Sequence, residues 1–349
     1  MSVKLGFIGT GSMADLHADT YKRTNMNVEF VACCDINEKR LKNFSEKFNI
    51  EKTYTDYNKM LAENKLDAVV VTTWNNAHAP ATIAALNAGV NVFCEKPMAL
   101  NQAEAIEMKA AAEKNNKLLM IGFVRRFGND AKTAIEFVKD KTMGDIVYAK
   151  ASYLRRRGFP GGWFGNKELS GGGTLIDIGV HVIDLTRYIM GCPKAVSVYG
   201  FTADNLHPET LTAGSTSPWQ TSDGKTDIYN VEDLVSAMIK FDNGAVLQIE
   251  SSFNLNIKSD CGNVELFGTK AGIKLSPFEI YTDMNGHIAD ITVGGETGTG
   301  DFFAEEDKHF IDCIKNGTIC MSTADDGIEI MKIVDAIYLS AKTGKSVEL

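Results

Sequence analysis

The hexapeptide Gly9-Thr10-Gly11-Ser12-Met13-Ala14 follows the apolar run Val3–Ile8 and opens a segment of helical periodicity. This G-x-G-x-x-A pattern between a strand and a helix admits few folds. Gly9 permits a tight turn, Gly11 lets the backbone approach a pyrophosphate, and Ala14 lets the helix pack closely on the strand, while the helix N-terminus favours an anion. A second apolar run, Val28–Cys34, ends at Asp35, 24 residues beyond Gly11. An acid at that place accepts hydrogen bonds from an adenosine ribose. Gly9, Thr10, Gly11, Ser12, Met13 and Asp35 are therefore the expected dinucleotide contacts. A carboxylate repels a 2′-phosphate and no arginine directly follows Asp35, which favours NAD over NADP. The plain alternative is a glycine turn without a ligand and an aspartate that caps a helix.

The alternation continues beyond this first unit. Helical periodicity over Glu38–Phe48 is followed by a strand at 68–72, a helix at 79–86, a strand at 90–94, a helix at 102–114 and a strand at 118–122. Strands that read as unbroken Val, Ile, Leu and Phe runs are buried on both faces, as in a parallel sheet flanked by helices. After Phe123 the pattern changes to longer alternating segments. Strands are expected at 231–241, 245–253, 264–267 and 273–275, with Asn243-Gly244 forming a type I′ hairpin turn, which reads as an antiparallel sheet. Helices are expected near 131–138, 175–189, 303–314 and 327–342. The polar stretch 204–227, with Pro208 and Pro218, reads as a long loop. At 349 residues the chain is long enough for two domains. They are placed at 1–123, binding a dinucleotide, and 124–349, an α+β domain whose last helix packs back on the first.

Several function classes are excluded by composition. A net charge of −9 argues against nucleic acid as a partner. No apolar run approaches the roughly 20 residues of a membrane span. The first residues enter a strand without the segments of a signal peptide, so a cytoplasmic location is expected. Seven cysteines without CxxC spacing read as buried thiols, with neither a disulfide frame nor a metal site.

Two places carry candidate chemistry. Glu95-Lys96-Pro97 closes a strand, and the fixed φ of proline ends it there, so Lys96 stands outside the carboxyl end of a parallel strand, where such sheets bind ligands. The run from Ser170 to Asp184 passes from three glycines into a helix on which Asp177 and His181 lie four residues apart on one face, with Asp184 three further along. Histidine exchanges a proton near neutral pH, which oxidation of a polyol requires, and a nearby cation such as Lys96 keeps that base neutral. A helix-surface ion pair and a core histidine are the alternatives for His181. Trp163, in the loop after Arg155-Arg156-Arg157, is suited to stack on a sugar face. The three arginines suit either an anionic group or a subunit contact.

Taken together, the fingerprint, Thr73-Trp74-Asn75-Asn76-Ala77-His78, Glu95-Lys96-Pro97, Gly122-Phe123-Val124-Arg125-Arg126-Phe127 and the glycine-rich stretch into Asp177 and His181 resemble the glucose-fructose oxidoreductase, inositol dehydrogenase and rhizopine-catabolism (GFO/IDH/MocA) family nearly end to end. The resemblance implies an α/β fold with an N-terminal Rossmann doubly wound parallel sheet and a C-terminal α+β domain with a large open, mostly antiparallel sheet. The exposed face of that sheet would make a homodimer or homotetramer. It implies an NAD-dependent dehydrogenase acting on a secondary hydroxyl of a cyclic polyol or sugar, inositol-like or aldose-like. Lys96, Asp177 and His181 would be the catalytic trio and would also bind substrate, with His181 as general acid or base. Thr73, Asn75, His78, Glu95 and Lys96 would lie along the nicotinamide side, and Arg126 and Trp163 would contact substrate. Trp74 departs from the proline that the family often has in this turn. A redox-assisted lyase or hydrolase, and a noncatalytic sugar or dinucleotide sensor, remain open beside the dehydrogenase.

Overall fold

The computed structural model describes residues 2–204 and 228–349. All but Asp204 of the expected loop 204–227 therefore lies outside the described residues. The chain divides into two units, one of residues 1–122 with 303–331, the other of 123–302 with 332–349.

The first unit begins β1 (Val3–Ile8), α1 (Ser12–Arg23), β2 (Val28–Cys34), α2 (Glu38–Phe48), β3 (Lys52–Tyr54), α3 (Tyr57–Glu63), β4 (Ala68–Val71), α4 (His78–Asn87), β5 (Asn91–Glu95), α5 (Gln102–Asn115) and β6 (Leu119–Gly122). Its six strands are all parallel in the order β3-β2-β1-β4-β5-β6. Every residue of β4 and β6 is buried, which is why these segments read as unbroken apolar runs. The strand order reverses between β1 and β4, and the glycine fingerprint follows β1 at that reversal, where doubly wound sheets bind dinucleotides. On α2, Leu41, Phe44 and Phe48 are buried, and Phe44 meets Phe7 of β1 edge-on. The sequence did not disclose β3, an edge strand of three residues with little burial.

The second unit contains α6 (Asn129–Lys139), β7 (Ile146–Leu154), α7 (Lys167–Ser170), a π-helical turn (Leu175–Gly179), α8 (Val180–Ile189), β8 (Ala195–Ala203), β9 (Leu234–Phe241), β10 (Val246–Ser252), β11 (Cys261–Gly268), β12 (Ala271–Lys274), β13 (Glu279–Met284) and β14 (His287–Thr292). Helices α9 (Phe302–Asn316) and α10 (Ala324–Thr343) precede β15 (Val347–Glu348); residues 303–331, most of α9, the segment after it and the start of α10, belong to the first unit. Among the described residues nine strands form one sheet in the order β14-β13-β12-β11-β7-β10-β9-β8-β15, antiparallel except where β7 meets β10. One face is covered by α8, and Val235, Ala237, Ile239 and Phe241 of β9 are buried there in strict alternation. The opposite face leaves Tyr199, Phe201 and Met238 more than half exposed, and Tyr199 and Met238 are cross-strand partners.

The turn expected at Asn243-Gly244 takes another form. Only Gly244 has a positive φ, +88°, and its amide donates to Phe241 O, as in a type I turn followed by a left-handed glycine. The type I′ signature instead belongs to Asn285-Gly286, at φ +52° and +80°, which joins β13 to β14 where Met284 pairs with His287.

Candidate active site

The fingerprint loop has the shape a dinucleotide requires. Gly9 sits at φ +90° with the Thr72 carbonyl 2.7 Å from where a Cβ would stand, so no other residue fits there. A Cβ on Gly11 would stand in open space, so the backbone there leaves room for a pyrophosphate to approach. Gly11 is also the N-cap of α1 and supplies no side-chain cap, which leaves the helix amides to a ligand. Ser12 is exposed and Met13 half-buried on the first turn. Asp35, half-buried at the end of β2, accepts the Thr10 amide at 2.7 Å and the Thr10 hydroxyl at 3.0 Å on Oδ2, and the Asn37 amide at 2.7 Å on Oδ1. A carboxylate has about four lone-pair sites, so Asp35 fixes the glycine loop and keeps about one acceptor position for a ribose hydroxyl.

Around Lys96, buried bonds fix the backbone. The Lys96–Pro97 peptide is cis, and Lys96 is partly exposed between buried Glu95 and buried Pro97. Glu95 Oε2 accepts the Lys96 amide at 3.0 Å, and Oε1 lies 3.0 Å from His17 Nε2. His78 is 1% exposed, with Nδ1 2.7 Å from Pro97 O and Nε2 3.1 Å from Thr73 O. Burial lowers the His78 pKa against the pull of those carbonyls. Glu95 and His78, expected along the nicotinamide side, are held here by bonds within the protein. Both side chains are turned inward and tie the β4 and β5 turns in shape. Asn75 is buried in the short 3-10 turn before α4, and Thr73 is half-buried with its hydroxyl on Trp74 O.

His17 of α1 is fully buried, and its other nitrogen, Nδ1, lies 2.8 Å from Asp307 of α9. Burial alone would depress its pKa, but the carboxylates of Asp307 and Glu95 outweigh that and hold it well above 6.5. A folded-state pKa above the unfolded value means that the stabilisation is complete below about pH 6.5 and is lost as pH rises through the raised value. The melting temperature of the wild type therefore falls more steeply as pH rises above about 6.5 than that of His17→Gln, whose side chain does not titrate. Parallel curves for the two proteins would remove the charged histidine from the account.

In the second unit, the expected helix over 175–189 is present without a break, but its first turn is not α-helical. Leu175–Gly179 is a π turn and α8 begins at Val180. Such turns close i→i+5 bonds and concentrate at functional sites. Asp177 lies buried in the π turn and His181, partly exposed, on the first turn of α8. Glu232 supports this junction, and the sequence reading missed it. Its carboxylate accepts the Gly173 amide at 2.9 Å, the Leu175 amide at 3.1 Å and the Tyr338 hydroxyl at 2.9 Å. Burial raises the Glu232 pKa against these donors. Thr174 is tied to Ser251 of β10 through its hydroxyl and its carbonyl. A Cβ on Gly173 would collide with Glu232 O and one on Gly172 with the Tyr338 hydroxyl, so both glycines are needed for close approach. The only sequence signal for Glu232 was a pair of acids, Glu232-Asp233, at the head of an apolar strand.

Arg126, expected at the substrate, is paired within the protein. It is 1% exposed, its Nε and Nη2 form a fork on Asp184 at 2.9 and 2.6 Å, and its guanidinium lies over the Phe123 and Tyr188 rings. With the planar donors committed inside the protein, Arg126 anchors α8, and Asp184 is its partner. The arginine run also turns to the backbone: Arg155 donates to Gly158 O, Arg156 to Lys258 O, and Arg157 to Arg156 O and Asn256 Oδ1. Trp163 is partly exposed and stacks on Phe164 with centroids 4.0 Å apart. Phe164 packs on a cluster of Phe159, Phe253 and Ile178, the last from the π turn.

Residues 3–123 match an oxidoreductase family with an NAD-binding Rossmann fold, and residues 135–349 match the C-terminal alpha/beta domain of the same family. The chain belongs to this GFO/IDH/MocA oxidoreductase family, and NAD, the cofactor of that fold, fits the glycine loop, the uncapped α1 and Asp35. It is 36% identical over 349 residues to D-glucoside 3-dehydrogenase of Escherichia coli K12, covering 99% of this chain and 97% of that protein. It is 26% identical over 372 residues to myo-inositol 2-dehydrogenase of Thermotoga maritima, covering 99% and 98%. In fold it is similar to levoglucosan dehydrogenase in complex with NADH, with a TM-score of 0.85 at 24% identity over 100% of this chain and 99% of that one. No helix among the described residues is long and apolar enough to cross a membrane.

Proposed function

We propose that the protein is a dehydrogenase that oxidises a secondary ring hydroxyl of a glycoside or cyclic polyol, with Lys96, Asp177 and His181 acting on that hydroxyl. Bound NAD supplies the hydride acceptor. The observation that carries the reading is His181 itself: a partly exposed histidine at the junction of a π turn and a helix, four residues from a buried carboxylate, after a glycine stretch that Glu232 ties at the Gly173 and Leu175 amides. In this reading His181 takes the hydroxyl proton as the C–H bond breaks, because a neutral imidazole is the side-chain base suited to that transfer near neutral pH. Asp177 accepts a substrate hydroxyl and orients it. The Lys96 ammonium donates to the reacting oxygen and favours its loss of a proton. The similarity to D-glucoside 3-dehydrogenase over 99% of the chain supports a pyranoside as the first substrate to try.

Assays of the purified protein with NAD against a panel of glucosides, aldoses and inositols are expected to give NADH with at least one ring, glucosides foremost. Tight NAD binding with no NADH from any member would overturn the dehydrogenase reading, and product without NADH accumulation would replace it with a redox-assisted lyase. We further assign the active species to a homo-oligomer built on the sheet face that bears Tyr199, Phe201 and Met238, and molecular mass on the same preparation checks this. A cytoplasmic site of action accords with a reaction that needs its NAD regenerated.

A further inference from the structure

His309 and Cys313 lie four residues apart on α9, one helical turn, and so share a face near its C-terminus. Gly317, at φ +66°, turns the chain back at the helix end, and Cys320 returns to that face. One His309 ring nitrogen and the two sulfurs all lie within 4.8 Å of one another. His309 Nε2 is 3.4 Å from Cys313 Sγ and accepts the Met321 amide at 3.0 Å, so the ring presents a lone pair there and carries its proton on Nδ1. Cys313 is buried, whereas His309 and Cys320 are partly exposed, and the cluster therefore opens to solvent on one side. All three residues belong to the first unit.

An ion with Zn–S near 2.3 Å and Zn–N near 2.0 Å holds tetrahedral ligand atoms about 3.5 to 3.8 Å apart. The N···S separation of 3.4 Å already matches that edge. The 4.8 Å limit puts the remaining separations within about 1 Å of it. The donor set is chemically apt as well. Two thiolates and a neutral imidazole balance a divalent charge, and sulfur donors select zinc-class ions over magnesium or calcium. Three protein ligands with water on the open side complete a four-coordinate site.

We propose that His309, Cys313 and Cys320 bind one soft divalent cation of the zinc class, which fastens the end of α9 to the segment that pairs with β6. That segment follows Cys320 at once: Ser322 O accepts the Ile121 amide at 3.1 Å, the Ser322 hydroxyl donates to Ile121 O at 2.6 Å, and Thr323 bridges to Met120. Binding releases the two thiol protons to solvent, replaces the Cys320 bond to Ser322 O and the Met321 bond to His309, and transfers no electrons.

The test uses the full-length chain, reduced with a phosphine and stripped with a chelator, then titrated with cobalt(II) and with zinc. One equivalent of cobalt should bind with thiolate-to-metal charge-transfer absorption, and zinc should displace it. Cys313→Ser and Cys320→Ser should each weaken binding at least 10- to 100-fold, a loss that even outer-shell changes produce. Cys261→Ser, on exposed β11, should bind as the wild type does. A second measurement needs no variant: one equivalent of zinc should protect Cys313 and Cys320, and no other cysteine, from alkylation. Absence of charge-transfer absorption, unchanged affinity in both serine variants, or unprotected Cys313 and Cys320 would each overturn the site. A Cys313–Cys320 disulfide formed under mild oxidation, with no metal bound by the reduced protein, would replace it with a redox pair.

Discussion

His181→Asn should lower kcat by about 10²- to 10⁴-fold, the usual contribution of a positioned general acid or base, while NAD affinity stays near that of the wild type. Asparagine keeps a polar side chain of similar reach but does not titrate near neutral pH. The glycine loop, Asp35 and α1 that would hold NAD lie in the first unit and do not include His181. The pH profile gives a second readout. A limb assigned to the proton acceptor should vanish in the variant, whereas a purely structural histidine would leave the profile's shape intact. Lys96→Ala belongs to the same experiment, with turnover lost far more than NAD affinity. Equal losses in both would reassign Lys96 to cofactor binding. An unchanged kcat in His181→Asn would remove the histidine from the chemistry.

Arg126→Ala should cost about 3–5 kcal/mol of stability, the penalty of leaving one member of a buried ion pair without its partner. Asp184→Ala should cost about as much, and Arg126→Met with Asp184→Leu together should recover most of the loss, because the desolvation of both charges is removed at once. Both side chains are almost wholly buried and joined by two hydrogen bonds, so the variants should be read in chemical denaturation before any kinetics. A stable Arg126→Ala protein with a raised KM would return the arginine to the substrate.

The sequence disclosed the parallel sheet because doubly buried strands leave unbroken apolar runs and because Gly9, Gly11 and Asp35 have few alternative uses. It disclosed the nine-stranded sheet only in part: β8 carries exposed Tyr199 and Phe201 on one face, which blurs the polar alternation that marks a half-buried strand. Asn285-Gly286 carried the same turn signal as Asn243-Gly244, and dipeptide identity alone did not separate them; the length of the hairpin loop did. At the site, Asp177 and His181 were legible from spacing. The π turn was not, since i→i+5 bonding has no composition of its own. Arg126, Glu95 and His78 were singled out for their chemistry, yet their partners, Asp184, His17 and the carbonyls of Thr73 and Pro97, are brought together only by the fold. Glu232 was invisible for the same reason, standing 59 residues from the glycine whose amide it accepts.

The His17 network also bears on how the chain is made. Asp307 lies 290 residues after His17, beyond the whole of 123–302. A ribosome releases the six strands of the first sheet long before it releases α9, so the nascent sheet must persist with the His17 pocket open and one carboxylate missing. Synthesis from the N-terminus thus leaves the dinucleotide-binding part incomplete until residues 303–331 emerge, and a fragment ending at 122 would stay at that stage.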